Sequence, residues 1–234
     1  FTDSEMERAG LVVRSARNTD RDATVYDRFR GRLMFPLADS TGRIVGFSGR
    51  IFGLENKDQV GGKYINTPET LLYNKSRLLY GYDRAKTAIR SAGQAILVEG
   101  QMDLLMSYQA GQANTVATSG TALTTEHLIL IKRLAPRVIM AFDGDLAGIR
   151  ASQRAISLAL TAGLEVKIAL LPKDTDPADL IKQNPAIWAE AVNNSLPVID
   201  FLLQTIASRT TDRRERSHLV QQEVYPYILS LPNQ

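Results

Sequence analysis

The sequence predicts an α/β fold, with a central parallel-sheet domain preceded by a mixed α+β subdomain and followed by a small helical appendage. Three observations carry this expectation. From Gly93 onward, short wholly apolar runs alternate with amphipathic stretches, the pattern of strands buried on both faces and joined by right-handed helical crossovers. Before Gly93, two apolar runs flank a glycine-containing turn, as in a hairpin. After Pro185 the amphipathic stretches continue with no strand between them.

In order, SEMERAGLVV near the start reads as a short amphipathic helix, and RLMFPLAD and GRIVGFSGRIF read as antiparallel strands joined through Ser40, Thr41 and Gly42. A polar loop runs from Leu54 to Gly62, KYINTPETLLYNKSRLLYG reads as irregular, and a helix is expected from Tyr82 to Ser91. Strands follow at AILVE (95–99), TVATS (115–119), VIMAFD (138–143) and VKIALLP (166–172). The helices between them run from Met102 to Gln109, ended by Gly111; from a cap at Thr124 or Thr125, with Leu128, Ile131 and Leu134 on one face; and from Leu146 to Ala162, closed by Gly163. A short helix at Pro177–Lys182 precedes WAEAV, IDFLLQTIA and HLVQQEVYPYIL, the amphipathic stretches of the appendage. The expected division is therefore residues 1–92, 93–184 and 185–234.

Composition removes several classes. With 44% hydrophobic and 23% charged residues in 234, the chain can bury a core and is neither disordered nor collagen-like nor a coiled coil. No apolar run approaches the roughly 18 residues that a membrane span needs. The absence of cysteine excludes disulfides, thiol catalysis and cysteine-ligated zinc, and two histidines supply at most half of a tetrahedral zinc site. The N-terminus lacks both an initiator Met and a signal sequence, so the chain is expected to be a processed or excised piece. The net charge of +3 hides an asymmetry: residues 28–90 hold 12 Lys or Arg against 5 Asp or Glu, whereas residues 91–234 hold 12 against 14. A basic front and a mildly acidic back fit a polyanion-binding surface beside a metal site.

In open parallel sheets, ligands collect at the carboxyl ends of the strands. Glu99 ends the first strand of the regular region, Asp143 and Asp145 end the third, and Asp174, Asp176 and Asp179 follow the fourth, while Gly100 and Gly144 let the backbone turn beside them. Crowded carboxylates need a cation, and oxygen donors suit Mg²⁺, which takes one or two carboxylates and leaves room for phosphates. Asp145 taken alone also reads as a helix cap. An EF-hand register fails because Ala147 and Arg154 stand where ligands belong. No P-loop or GxGxxG occurs, and His127 and His218 lie outside the acidic motifs, expected at the surface or a boundary.

EGQMD, DGDLAG and DPAD, each after a strand, resemble the TOPRIM domain shared by primases, topoisomerases and some nucleases. RFRGRLMFPLAD, GRIVGFSGR, KYINTPET and KSRLLYG, in that order, resemble the catalytic core of the DnaG-type bacterial replicative primases, and the likeness spans about Tyr26 to Phe201. It implies catalytic roles for Glu99, Asp143 and Asp145. It implies Mg²⁺ or Mn²⁺ held by these with Asp176, and with Asp179 as a substitute where Ala178 departs from the family's Asp-Pro-Asp. Asp103 matches an acidic position close to the glutamate, which implies a supporting place behind the metal ligands. Arg32, Arg50, Lys63, Tyr64, Asn66, Lys75 and Arg77 fall in motifs that line the template and nucleotide groove, with Thr67 and Glu69 shaping the loop. The implied partners are single-stranded DNA, nucleoside triphosphates and the RNA primer, in the bacterial cytoplasm at the nucleoid. The family's zinc-binding and helicase-binding domains are not visible, so zinc, replicative helicase and single-strand-binding protein are expected only through regions outside this sequence. The competing expectations are a TOPRIM nuclease or topoisomerase fragment and a binding module with a structural acidic cluster.

Overall fold

The computed structural model describes residues 1–14, 25–53, 62–141, 146–172 and 175–230. The chain divides into two compact units, Phe1–Leu78 and Leu79–Gln234. The expected boundary at 92 moves forward because the helix at Tyr82–Ala92 buries Tyr82, Ala85 and Ile89 in the core of the second unit.

The first unit opens with α1 (Asp3–Arg8), closed at its N-terminus by a capping box between Thr2 and Glu5. α1 buries no residue, and the expected helix through LVV ends early. Gly10 takes φ 73°, and the β-branched pair after it becomes β1 (Val12–Arg14), which pairs antiparallel with β2 (Val25–Asp27). The expected hairpin is present as β3 (Arg32–Ala38) and β4 (Ile44–Ile51). Its turn is tied by Asp39, whose Oδ1 accepts from the Thr41 hydroxyl at 2.6 Å and from the Thr41 and Arg43 amides. These hydrogen bonds, the Thr41 hydroxyl first, hold the Asp39 carboxyl below the usual carboxylate range. Part of the stretch read as irregular is a third strand, β5 (Tyr64–Asn66), paired with β4.

The second unit begins with α2 (Tyr82–Ala92), which leads into the strands β6 (Gln94–Val98), β7 (Thr115–Ala117), β8 (Arg137–Met140) and β9 (Glu165–Ile168). Between them lie α3 (Gln101–Gln109), α4 (Thr125–Lys132) and α5 (Leu146–Thr161). The sheet order is β9-β8-β6-β7, all parallel, and β10 (Leu196–Pro197) extends it antiparallel beside β9. On the outer side of β7, Tyr80 makes one antiparallel bridge to Ala117, with amide–carbonyl bonds of 2.9 and 3.1 Å. Side chains alternate between the faces. Ala95, Leu97, Val116, Val138, Met140 and Val166 meet α2, α4 and α5 on one, and Ile96, Val98, Ala117, Ile139 and Ala169 meet Leu104 of α3 on the other. That second face is completed by α6 (Pro177–Gln183) and α7 (Pro185–Asn193), which bring Leu180, Ile181, Trp188 and Val192.

The C-terminal helices α8 (Val198–Arg209), α9 (Arg213–Glu223) and α10 (Tyr225–Ser230) are not a separate appendage in packing terms. Val198, Leu202, Ile206, Val224 and Tyr227 share one apolar cluster with α5 and the sheet. His127, expected near the surface, is fully buried: its backbone N–H donates to the Thr124 hydroxyl and its Nδ1 faces the Thr124 amide at 3.4 Å, so it closes the start of α4. Among the described residues no helix is long and apolar enough to cross a membrane.

Candidate functional site

The connectivity singles out one edge of the five-stranded sheet. The chain leaves β6 through α3 on one face to reach β7, then returns through α4 on the opposite face to β8, on the other side of β6. The connections after β6 and β8 thus depart to opposite faces, the switch at which open α/β sheets collect ligands. Glu99 follows β6 directly and is exposed, as a group that meets a ligand must be. Asp143 and Asp145 stand between β8 and α5, at positions 142–145 that lie outside the described residues, as does Asp174 after β9. Asp176 and Asp179 sit at the entrance to α6: Asp176 is its N-cap, and its Oδ1 accepts from the Asp179 N–H at 2.7 Å. The cap uses one of the two Asp176 oxygens.

The Glu99 peptide is gripped from the β7 side. Its carbonyl accepts from the Ser119 N–H at 2.9 Å and from the Thr118 hydroxyl at 3.4 Å. Ser119 has φ 59°, the one described non-glycine residue with positive φ, a conformation that costs a side chain roughly 1–2 kcal/mol. The buried Gln101 amide donates to the Ser119 hydroxyl at 2.5 Å and offsets part of that strain. The sequence reading passed over Gln101, Thr118 and Ser119; the available signal was Ser-Gly directly after an apolar strand.

Among the described residues no three acidic or histidine side chains come together as a metal cage, and two of the five expected ligands, Asp143 and Asp145, lie outside them. The donor set itself fits a hard divalent cation: Glu99, Asp176 and Asp179 offer only carboxylate oxygen, and the nearest histidine in sequence, His127, is sealed in a helix cap.

The basic residues belong to the first unit and differ in what they touch. Arg32 Nη1 donates to the carbonyls of Gly49 at 3.0 Å, Gly62 at 3.1 Å and Lys63 at 3.4 Å, so it ties strand ends together as well as carrying charge. Partial burial pulls its pKa below the ordinary value, though a guanidinium stays protonated in proteins. Arg50 lies over the Tyr64 ring at 5.6 Å and donates to its hydroxyl at 3.2 Å. Lys63, Lys75 and Arg77 are exposed. The Asn66 carbonyl accepts from Arg28 Nε at 3.0 Å. Thr67 is buried, with its hydroxyl accepting from the Phe47 N–H at 2.8 Å, and Glu69 accepts from the Lys75 amide at 3.2 Å. A second cation–aromatic pair, Arg30 over Tyr26 at 4.6 Å, escaped the sequence reading although the two residues stand four apart.

Comparison with known proteins bears on both units. Residues 1–86 match the family described as DNA primase catalytic core, N-terminal domain, and residues 96–181 match the Toprim-like family. A DNA primase of Deinococcus radiodurans is 36% identical over 233 residues, which cover 98% of this chain and 39% of that protein. A DNA primase domain from Pseudomonas aeruginosa superposes with a TM-score of 0.81 at 33% identity, covering 98% of this chain and 70% of the other. A DnaG primase catalytic domain bound to single-stranded DNA gives 0.81 at 31% identity, with 99% and 73% covered. The chain spans 39% and 32% of the length of the first two curated relatives it matches.

Proposed function

Since the chain belongs to the DNA primase catalytic-core family, we propose that it performs template-directed synthesis of short RNA primers on single-stranded DNA. In this reading the 3′-hydroxyl of a primer, or of the first nucleotide, attacks the α-phosphate of a nucleoside triphosphate and pyrophosphate leaves. Glu99, Asp143, Asp145 and Asp176 hold the divalent cation, Mg²⁺ or Mn²⁺, with Asp179 in place of the carboxylate missing at Ala178. When bound, such an ion lowers the pKa of the attacking hydroxyl and stabilises the leaving charge. The chain's own contribution is to hold these carboxylates at fixed positions, with the Glu99 carbonyl pinned by Thr118 and Ser119. Lys63, Lys75 and Arg77 neutralise template and nucleotide phosphates, and the Arg50–Tyr64 pair offers a face on which a base stacks. Arg32 and Asn66 contribute to the same surface, Arg32 chiefly by fixing the backbone around Lys63. The enzyme acts in the cytoplasm on replicating DNA, and contacts with helicase and single-strand-binding protein belong to regions outside this chain.

The observation that supports the proposal is that β6 and β8 are parallel neighbours whose connections leave to opposite faces, with Glu99 following β6 in the sequence and Asp143 following β8. The test is oligoribonucleotide synthesis on a single-stranded template with Mg²⁺ or Mn²⁺. The wild type incorporates nucleotide and Asp143→Ala loses incorporation by more than roughly 100-fold, as expected when a charge-stabilising group is removed. Equal activity of the mutant, no incorporation even on a preformed primer, or nicking of DNA without nucleotides overturns the proposal, the last in favour of a nuclease.

A further inference from the structure

Asp103 stands on the first turn of α3, four residues after Glu99, and is buried to 8% exposure. Its carboxylate serves two segments distant in sequence. Oδ2 accepts from the Gly100 N–H at 2.9 Å, and Oδ1 accepts from the Ala178 N–H at 3.2 Å, across 75 residues. Gly100 is the peptide that follows Glu99, and Ala178 lies between Asp176 and Asp179. Both bonds are charge-assisted and directed at backbone N–H groups, hence orienting.

The neighbouring residues are built around this clamp. Pro177, at the first position of α6, has no N–H to satisfy, and the Asp179 N–H is taken by Asp176. The Ala178 amide is thus the first-turn donor left for Asp103. Gly100 has an ordinary extended backbone, φ −114° and ψ 165°, so no conformational demand selects glycine there. A Cβ on it would sit 3.0 Å from Asp103 Oδ2, so a larger residue would push the carboxylate back by a few tenths of an ångström. The Glu99 carbonyl is held by Ser119, and the following N–H is held by Asp103.

We infer that Asp103 is a positioning residue that sets the separation of the Glu99 and Asp176–Asp179 segments by gripping the Gly100 and Ala178 peptides. The inference rests on the metal reading proposed above. Ligands carried by different loops bind a cation well only when their spacing is fixed, and partners behind the ligands are worth about 10- to 100-fold in metal affinity. Leu104, Leu180 and Ile181 already pack α3 against α6, so removing the carboxylate loosens the spacing without dissolving the packing.

The test is Mn²⁺ binding to the full chain, read as free Mn²⁺ by electron paramagnetic resonance, with thermal melting alongside. Asp103→Asn keeps one carbonyl oxygen but turns an NH₂ group toward the second N–H. It weakens Mn²⁺ binding by roughly 10-fold or more, and the Gly100 and Ala178 amides exchange faster with solvent. Gly100→Ala retains every charge and displaces the carboxylate; it weakens binding in the same direction by less. Unchanged affinity in both variants overturns the inference, and so does a loss confined to Asp103→Asn, which marks a charge effect instead of positioning. If Asp103→Asn fails to fold, Gly100→Ala decides alone. A wild type that binds no Mn²⁺ defeats the metal reading itself, whereas a wild type that binds with both variants unaffected defeats only the role of Asp103.

Discussion

The two units of this chain are held together by different means. In Leu79–Gln234 a sheet is covered on both faces, and alternate residues of each strand feed two apolar clusters, one around Ile131, Met140 and Ile156 and one around Trp188. Among the described residues of Phe1–Leu78 the fully enclosed apolar ones are few, chiefly Phe35, Leu37 and Tyr73, and polar staples do much of the work. Thr67 bonds both backbone groups of Phe47, Arg32 collects three carbonyls, and Asp39 ties its turn. Charge follows the division less sharply than the sequence windows imply. The first unit has 13 basic and 10 acidic residues and the second has 15 of each, because the basic stretch at 28–90 straddles the boundary. The lesson is that local chemistry, not net charge, distinguishes the nucleic-acid candidate from the metal candidate.

Substitutions can sharpen this contrast. The largest expected effect is Trp188→Ala, which empties the centre of the second cluster and lowers unfolding free energy by about 3–5 kcal/mol in urea titration. Trp188→Phe costs less than about 1.5 kcal/mol, because the indole N–H has no hydrogen-bond partner among the described residues. In the first unit Thr67→Val has nearly the same volume, yet it strands the Phe47 N–H and costs about 1–3 kcal/mol. A smaller loss than for Trp188→Phe would contradict the assignment of polar staples to that unit. Lys63→Ala leaves the melting temperature unchanged and weakens single-stranded DNA binding, and the slope of log affinity against log salt falls by about 0.7. Arg32→Gln, by contrast, lowers stability by about 1 kcal/mol as three carbonyls lose their donor, in addition to any loss of binding. The last effect is alkaline. Burial, chiefly, pushes the Tyr108 hydroxyl up to about 12 from 10.0. Because the folded value is the higher one, the stabilisation is complete below pH 10 and is lost as pH rises toward 12. Tyr108→Phe makes denaturation midpoints flatter across that interval.

The same contrast explains what the sequence made legible. Strands buried on both faces are apolar at nearly every position, so β6, β7 and β8 stand out; β9, with Glu165 and Lys167 alternating with buried Val166 and Ile168, reads less cleanly, and VKIALLP overreaches because β9 ends at Ile168. β5 and β10 are too short for any periodicity, and β10 is half proline. The LVV segment was read as helix because an amphipathic count ignores what Gly10 does to the backbone. The acidic candidates stand out in the sequence because each follows an apolar run closely. The backbone-gripping role of Arg32 is not legible, since its acceptors are peptide groups that every residue possesses; Asp103 is legible as a support beside the glutamate, but the two peptides that it grips are not.

The margins of the five-stranded sheet have a consequence for how molecules of this protein meet one another. A strand edge with open amides and carbonyls is a template on which a second chain can assemble. Here one margin is the two-residue β10, where Pro197 supplies no amide, and at the other the amide and carbonyl of Ala117 are already taken by Tyr80. The sheet therefore terminates itself on both sides. Among the described residues, growth of an extended intermolecular sheet finds few open rungs at either margin.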